Sequence, residues 1–214
     1  MRDLPEILPL FPLDGVILLP GSTLPLNVFE PRYRQLVRDV MESHRLIGLI
    51  QPRESPREGH QPALYETGCA GRITALHETD DGRFLITLGG IIRFILCEEV
   101  MGDAPYRRAI VAYDGFVADR QSPKALDESA RGDLIAVLLP YLDIIKADID
   151  HDVIRRLGDE ALVNAISQLC PFEPAEKQAL LEAPTLEDRC RLAGELLKFA
   201  IAGPIAPGNN GLIQ

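Results

Sequence analysis

The sequence predicts an α+β protein in which a β-rich, barrel-like half is followed by a bundle of helices. The first 118 residues hold at least six short apolar segments separated by tight-turn signals, which is typical of a closed or nearly closed barrel. After Ser122 the apolar residues recur at steps of three and four, which is the spacing of helices. We therefore predict a barrel with one helix over 1–118, a helical bundle over 119–202 and a fraying tail over 203–214.

The beginning of the chain is unusual because prolines interrupt its first apolar stretch, residues 8–37. Proline lacks a backbone donor, so it belongs at strand ends, edges and bulges. Turn signals at Asp14-Gly15 and Pro20-Gly21 separate the segments. The predicted strands are Ile7–Phe11, Val16–Leu19 and Thr23–Val28. A helix is predicted to begin at Pro31, with Tyr33, Leu36, Val37, Val40 and Met41 on its apolar face.

The rest of the first half continues the strand pattern. Asp80-Asp81-Gly82 is the clearest hairpin signal in the chain, and Gly89-Gly90 is predicted to form a second turn. The polar, proline-rich stretch 52–62 is predicted to be an exposed, mobile loop. The remaining predicted strands are Leu46–Gln51, Cys69–Thr79, Arg83–Leu88, Ile91–Val100 and Tyr106–Asp114.

Helical spacing organises the second half. A helix is predicted to begin at Pro174, and Thr185 with Asp188 resembles a capping box that starts the last helix. The predicted apolar faces are Leu134, Val137, Leu138 and Tyr141; Leu162, Ala165, Ile166 and Leu169; and Leu186, Cys190, Ala193, Leu197 and Ile201.

Charge and cysteine content narrow the class of protein. The net charge of −10 and the pI of about 4.9 disfavour a nucleic-acid partner, because such binding depends on neutralising phosphates. The four cysteines show no metal-type spacing, so we interpret them as free thiols in a reducing compartment. Neither a signal peptide nor a long apolar run is visible, which predicts a cytoplasmic protein without a membrane partner.

Several of these segments together resemble the N-terminal domain of Lon proteases, in the form of a free-standing Lon-domain protein. Their order and spacing follow that family over roughly residues 5–200. The matching segments are LPLFPL (8–13), LLPGSTLPLNVFEPRY (18–33), IGLIQ (47–51), YETGCAGRI (65–73), DGRFLITLGGIIRF (81–94) and PFEPAEKQALLEAPTLEDR (171–189).

The resemblance implies a PUA-like pseudo-barrel followed by helices. In the full protease this domain is thought to recognise protein substrates and to help assemble the ring, and a related domain occurs in the ubiquitin-ligase receptor cereblon. The resemblance therefore implies a protein that binds other proteins rather than one that carries out chemistry.

Motifs for catalysis and for metal binding are missing from the sequence. A phosphate-binding loop needs a Gly-Lys pair, and no lysine in the chain follows a glycine. There is no G-x-S-x-G elbow, and the four histidines lie singly. The acidic run at 148–152 begins like a calcium loop, but Val153 stands where that loop needs glycine. We interpret the run as a helix cap, and we expect no cofactor, no metal and no enzymatic activity.

Candidate contact residues lie in two places. The segment Phe29–Tyr33 combines aromatic and basic side chains, which are the usual anchors of protein interfaces. Within it, Phe29 and Tyr33 fit a core role better, and Arg32 is the better contact. Arg93 alternates with Ile92 and Phe94; it either forms a salt bridge or anchors a peptide carboxylate.

The sequence as a whole favours a non-enzymatic protein- or peptide-binding module. Its predicted partners are unfolded or peptide segments of other proteins and a separate protease or chaperone, for which it would serve as an adaptor in proteolysis or quality control. A segment could add a strand to an open barrel edge. One alternative is a small-molecule sensor or enzyme that uses the barrel pocket, and another is an RNA-binding PUA-like protein. The sequence leaves the oligomeric state open.

Overall fold

The computed structural model describes residues 4–55 and 61–203, and the chain divides between Ser122 and Pro123 into two compact units. The predicted α+β class is confirmed. The predicted boundary at residue 118 falls inside a short 3₁₀ helix, Asp114–Arg120. The strands are β1 Ile7–Pro12, β2 Thr23–Val28, β3 Leu46–Ile50, β4 Thr67–Glu78, β5 Phe84–Glu99 and β6 Arg108–Ala112. The α-helices are α1 Pro31–Met41, α2 Glu128–Ile144, α3 His151–Arg156, α4 Asp159–Leu169, α5 Pro174–Glu182 and α6 Leu186–Ala202.

The sheet of the first unit closes on itself and leaves one strand outside the ring. Its order is β2-β5-β4-β3-β1-β6, and β6 also pairs with β5. The pairing of β1 with β3 is parallel, and the other pairings are antiparallel. Five strands therefore form the ring, around a core that includes Leu8, Leu10, Ile92 and Phe94. Strand β2 pairs only with the first half of β5.

The turn predicted at Gly89-Gly90 is wrong, because both glycines lie inside the continuous strand β5. Their role is to let another segment approach the sheet. The Gly90 amide donates to the Ser22 carbonyl at 2.9 Å, and the Gly21 amide donates to the Gly90 carbonyl at 3.1 Å. A Cβ at Gly90 would lie 2.1 Å from the Leu19 carbonyl oxygen. Glycine is needed here for close backbone contact, which a sequence pattern does not separate from a turn.

The strand predicted at Val16–Leu19 is also wrong. These residues form no ladder, although Ile17, Leu18 and Leu19 are buried. A local contact satisfies the backbone of Leu19 instead, because the Ser22 hydroxyl donates to its carbonyl at 2.7 Å and accepts from its amide at 3.2 Å. The apolar run therefore packs as an irregular segment against the sheet.

Two other predictions for the first unit agree with the structure, and two more agree only in part. Helix α1 begins at Pro31 and buries Tyr33, Leu36, Val37 and Val40. Gly82 has φ of +75° in the predicted hairpin turn. The last strand is shorter than predicted. Within the predicted loop 52–62, residues 53–55 are exposed, but Pro52 and Pro62 are buried and residues 56–60 lie outside the described part of the chain.

The second unit packs α2, α4 and α5 against α6. Both predicted helix starts are confirmed: Thr185 accepts from the Asp188 amide at 3.1 Å, and α5 begins at Pro174. The predicted burial of Leu169 is wrong, since this residue is 81% exposed. The buried face of α4 is rotated and includes Asn164, whose side-chain oxygen accepts from the buried Arg189 at 3.3 Å. The tail predicted at 203–214 lies outside the described residues from 204 onward.

Candidate protein-binding surface

The connection from β2 to α1 turns sharply. Strand β2 ends at Val28, and Glu30 precedes α1 with an extended backbone (φ −64°, ψ 133°). Pro31 occupies the first helical turn, where a missing amide hydrogen costs nothing. The Glu30 carbonyl accepts from the amides of Tyr33 at 3.0 Å and Arg34 at 2.9 Å. This turn projects Phe29 away from the sheet, so this residue is 60% exposed. The core role that the sequence favours for Phe29 is therefore wrong.

Tyr33 belongs to the core, as the sequence favours. Its ring is only 6% exposed and meets the ring of Phe11 edge-on, with the centroids 4.2 Å apart. Burial raises the pKa of the Tyr33 phenol, against the opposing effect of the nearby Arg32 guanidinium. A partner protein therefore does not reach most of this side chain.

Arg32 lies at the surface and contacts two neighbouring side chains. Its Nε donates to Glu30 Oε2 at 2.9 Å, and its guanidinium carbon lies 4.5 Å from the centroid of the Tyr33 ring. A cation over an aromatic ring is attracted to the ring face, so Tyr33 positions Arg32. We call Phe29, Glu30 and Arg32 the Phe29 corner: an exposed ring, a carboxylate and an oriented cation.

Arg93 is buried and paired within the first unit. It is 4% exposed, and its Nε and Nη2 donate to the two Asp119 oxygens at 2.9 and 2.8 Å. The backbone amide of Arg93 also donates to Asp119, at 3.0 Å, and the guanidinium lies over Phe116. This is the salt bridge that the sequence offers as one alternative. The structure does not bring Arg93 to the Phe29 corner, since Val28 pairs with Phe84, the first residue of β5, and Arg93 lies beyond the middle of that strand.

The outer edge of β2 is a further surface beside the Phe29 corner. The Thr87 carbonyl accepts from the Thr74 hydroxyl at 3.2 Å, so the Thr87 polar groups face β4 rather than β2. In an antiparallel pair, residues opposite such a position also direct their own polar groups away from the pairing. Pro25 pairs with Thr87. Its missing amide hydrogen therefore falls on the outer edge, where proline is tolerated.

The acidic run at 148–152 forms the predicted cap. Asp150 Oδ1 accepts from the Asp152 amide at 2.8 Å and starts α3.

Over residues 4–55 and 61–203, no group of three or more His, Cys, Asp or Glu side chains is arranged to hold a metal ion. Over the same residues, no helix is both long enough and apolar enough to cross a membrane.

The cysteine thiols differ sharply in exposure. Cys69, Cys170 and Cys190 are buried, and Cys97 is exposed. Burial raises the pKa of the Cys69 and Cys170 thiols to about 12. The thiolate is the reactive form. These two thiols are therefore unreactive at neutral pH for two reasons: reagents do not reach them, and they remain protonated.

We expect a thiol reagent such as dithionitrobenzoate to modify one thiol per native chain rapidly, and four after unfolding. Cys97→Ser removes the rapid phase, whereas Cys190→Ser leaves it unchanged. Rapid reaction of more than one thiol in the native protein would contradict the packing described here.

The structure thus combines an α+β fold with a closed five-stranded ring, a buried arginine paired with a carboxylate and an exposed aromatic corner. The chain belongs to the family of the ATP-dependent protease La (LON) substrate-binding domain, whose family model matches residues 7–198.

Curated relatives agree with that family. Lon protease 2 of Myxococcus xanthus is 30% identical over 204 residues, covering 92% of this chain and 24% of that protease. Lon protease 2 of Syntrophobacter fumaroxidans is 34% identical over 188 residues, covering 86% of this chain and 23% of that protease. The chain thus spans about a quarter of the length of the curated relatives it matches.

Solved structures show the same fold over nearly all of the chain. A Lon N-terminal domain protein from Xanthomonas campestris has a TM-score of 0.61 at 26% identity, covering 90% of this chain and 98% of that one. The N-terminal domain of a Mycobacterium avium complex Lon protease has a TM-score of 0.66 at 18% identity, with the same coverage. The matched region in these proteins is the N-terminal domain.

Proposed function

We propose that this chain is a non-catalytic module that recognises exposed segments of other proteins in the cytoplasm. The family model that covers residues 7–198 is that of a substrate-binding domain, which supports a role in recognition. The absence of a Gly-Lys pair and of a nucleophile elbow in the sequence supports a role without catalysis. The observation that carries the proposal is the Phe29 corner, where an exposed ring lies beside an oriented cation.

The Phe29 corner has the composition of an interface anchor. A few residues contribute most of the binding energy in typical interfaces, and aromatic residues and arginine are enriched there. Phe29 offers apolar area that water covers in the free protein. Arg32, held by Glu30 and by the Tyr33 ring, loses little side-chain entropy on binding a partner carbonyl or carboxylate.

The outer edge of β2 can align a bound segment parallel or antiparallel to the strand. An extended segment laid beside β2 can exchange backbone hydrogen bonds with Thr23 and Asn27, because these residues share the outward orientation of Pro25. Pro25 removes one donor from the middle of this ladder. The pairing is therefore short and reversible, and the same gap hinders edge-to-edge association of two copies.

A reversible module of this kind suits an adaptor. We propose that it presents bound segments to a separate protease or chaperone, since the curated relatives that it matches over about a quarter of their length are themselves proteases.

Phe29→Ala is expected to weaken the binding of an unfolded model protein at least about fivefold, the loss typical of an interface anchor. Reduced, carboxymethylated lactalbumin with a fluorescent label serves as the probe, and anisotropy gives the Kd. Met101→Ala is the matched control: Met101 is 92% exposed in the same unit, and its truncation removes apolar area outside the corner. Equal affinities for the two variants would refute the assignment of the corner.

A further inference from the structure

The second unit carries an open groove between α5 and α6 that the proposed function does not use. Its volume is about 460 Å³, which is in the range of pockets that take small ligands or a few side chains. The lining residues are Ala179, Ala183, Pro184, Asp188, Arg191, Leu192 and Glu195.

The groove follows from the sequence of the two helices. Ala179 and Ala183 are one helical turn apart and present only methyl groups, so α5 leaves a hollow beside α6. Pro184 lies in the short connection between the two helices. Along α6, Asp188, Leu192 and Glu195 recur at helical spacing and form the opposite wall. The floor is therefore apolar and the rim is charged.

The positive and negative charges of the rim do not cancel. Arg191 Nη2 lies 2.9 Å from Asp188 Oδ1, and the Thr185 hydroxyl donates to the other Asp188 oxygen at 2.6 Å. This pair is neutral overall. Glu195 forms no ion pair or hydrogen bond with any residue in the described ranges, and it is exposed. One unpaired carboxylate therefore stands beside an apolar hollow.

We propose that this groove binds a cationic, amphipathic helical segment of a partner protein. An aliphatic side chain of the segment fills the space over Ala179 and Ala183, and a lysine or arginine of the segment pairs with Glu195. Helices commonly bind in apolar grooves of this type through residues spaced three or four apart. The occupant differs from the extended segment at β2, because the groove recognises a helix and its positive charge.

The probe is a labelled synthetic peptide with leucines at helical spacing and lysines on its other faces. A second peptide has glutamate at every lysine position. We expect the full chain to bind the lysine peptide saturably in low salt, with at least about tenfold lower affinity for the glutamate peptide, which corresponds to about 1.4 kcal/mol. Equal binding of the two peptides, or binding of neither, would overturn the proposal.

Two pairs of variants locate the binding. Ala179 is exposed, so the larger side chain of Ala179→Trp can fill the hollow. We expect this substitution to lower the affinity for the lysine peptide at least about tenfold. Ala136→Trp, at an exposed position of α2, leaves the affinity unchanged. Glu195→Lys weakens binding, whereas Glu54→Lys, with the same change in net charge in the first unit, does not.

These experiments distinguish failure of the groove inference from failure of the proposed function at the Phe29 corner. If Phe29→Ala rather than Ala179→Trp abolishes binding of the lysine peptide, the groove is not its site and the inference fails. If the peptide fails to bind while the unfolded protein still does, the groove inference falls and the Phe29 corner stands. Circular dichroism of each variant verifies that the helices remain folded.

Discussion

Asp119→Ala is expected to lower the free energy of unfolding of the first unit by about 3–5 kcal/mol. The Arg93 and Asp119 side chains are only 5% and 8% exposed, so removing the carboxylate takes away the negative charge that faces the Arg93 guanidinium in the interior. The Arg93 amide loses its acceptor as well. Urea unfolding followed by tyrosine fluorescence measures the effect, because the chain has no tryptophan and four of its five tyrosines, Tyr33, Tyr65, Tyr106 and Tyr113, lie in this unit.

Two further variants show whether burial is the cause. Removing both charges with Arg93→Met and Asp119→Leu is expected to recover most of the loss, since replacing a whole buried pair by apolar groups is often neutral. Glu30→Gln breaks the exposed pair with Arg32 and is expected to cost well under about 1 kcal/mol. A similar loss for Glu30→Gln and Asp119→Ala would contradict the account.

Gly90→Ala is expected to destabilise the first unit by about 3 kcal/mol or more, at the upper end of the cost of overpacking. The added methyl group would lie 2.1 Å from the Leu19 carbonyl oxygen, and a backbone atom cannot move aside by rotating a side chain. The strand and the 19–22 segment would have to separate, with loss of the two hydrogen bonds between them. The measurement is again urea unfolding.

Gly132→Ala is the matched control for that substitution. Gly132 lies on the exposed side of α2, and no atom lies within 4 Å of the position of its added Cβ. Alanine at such a site stabilises a helix by roughly 0.5–1 kcal/mol. Opposite signs for the two Gly→Ala changes are the expected result, and stabilisation by both would contradict the close contact at Gly90.

The sequence was sufficient where the physical signal is local. Pro31 at a helix start, Asp80-Asp81-Gly82 in a hairpin and Thr185 as a cap each depend on a few neighbouring residues, and all three predictions are confirmed. The apolar face of α1 is confirmed for the same reason, since one helix turn sets its spacing.

Features that depend on contacts between residues distant in sequence could not be predicted from the sequence. Gly90 resembles a turn glycine until the segment from Leu19 to Ser22 is known to cross it. The partner of Arg93, Asp119, comes from a 3₁₀ helix beyond β6, and no spacing rule links the two. The groove at Ala179 requires the packing of two helices, and of its features only the alanine spacing is visible in the sequence.

The candidate surface combines both kinds of information. The residue types of the Phe29 corner are legible in the sequence, which favours Arg32 as a contact, but only the structure separates the exposed Phe29 from the buried Tyr33. That separation changes which residues a binding experiment should alter, because truncating Tyr33 would disturb the core and the position of Arg32 together.

We propose that this chain acts by binding and not by catalysis, and this proposal has a direct test. It is tested most directly by titrating labelled, carboxymethylated lactalbumin with the purified chain, in the absence of nucleotide, and then recovering the probe for mass spectrometry. We expect saturable binding with a Kd in the micromolar range and an intact probe. No binding at several hundred micromolar (on the order of 5 kcal/mol or less in affinity) or a cleaved probe would contradict it.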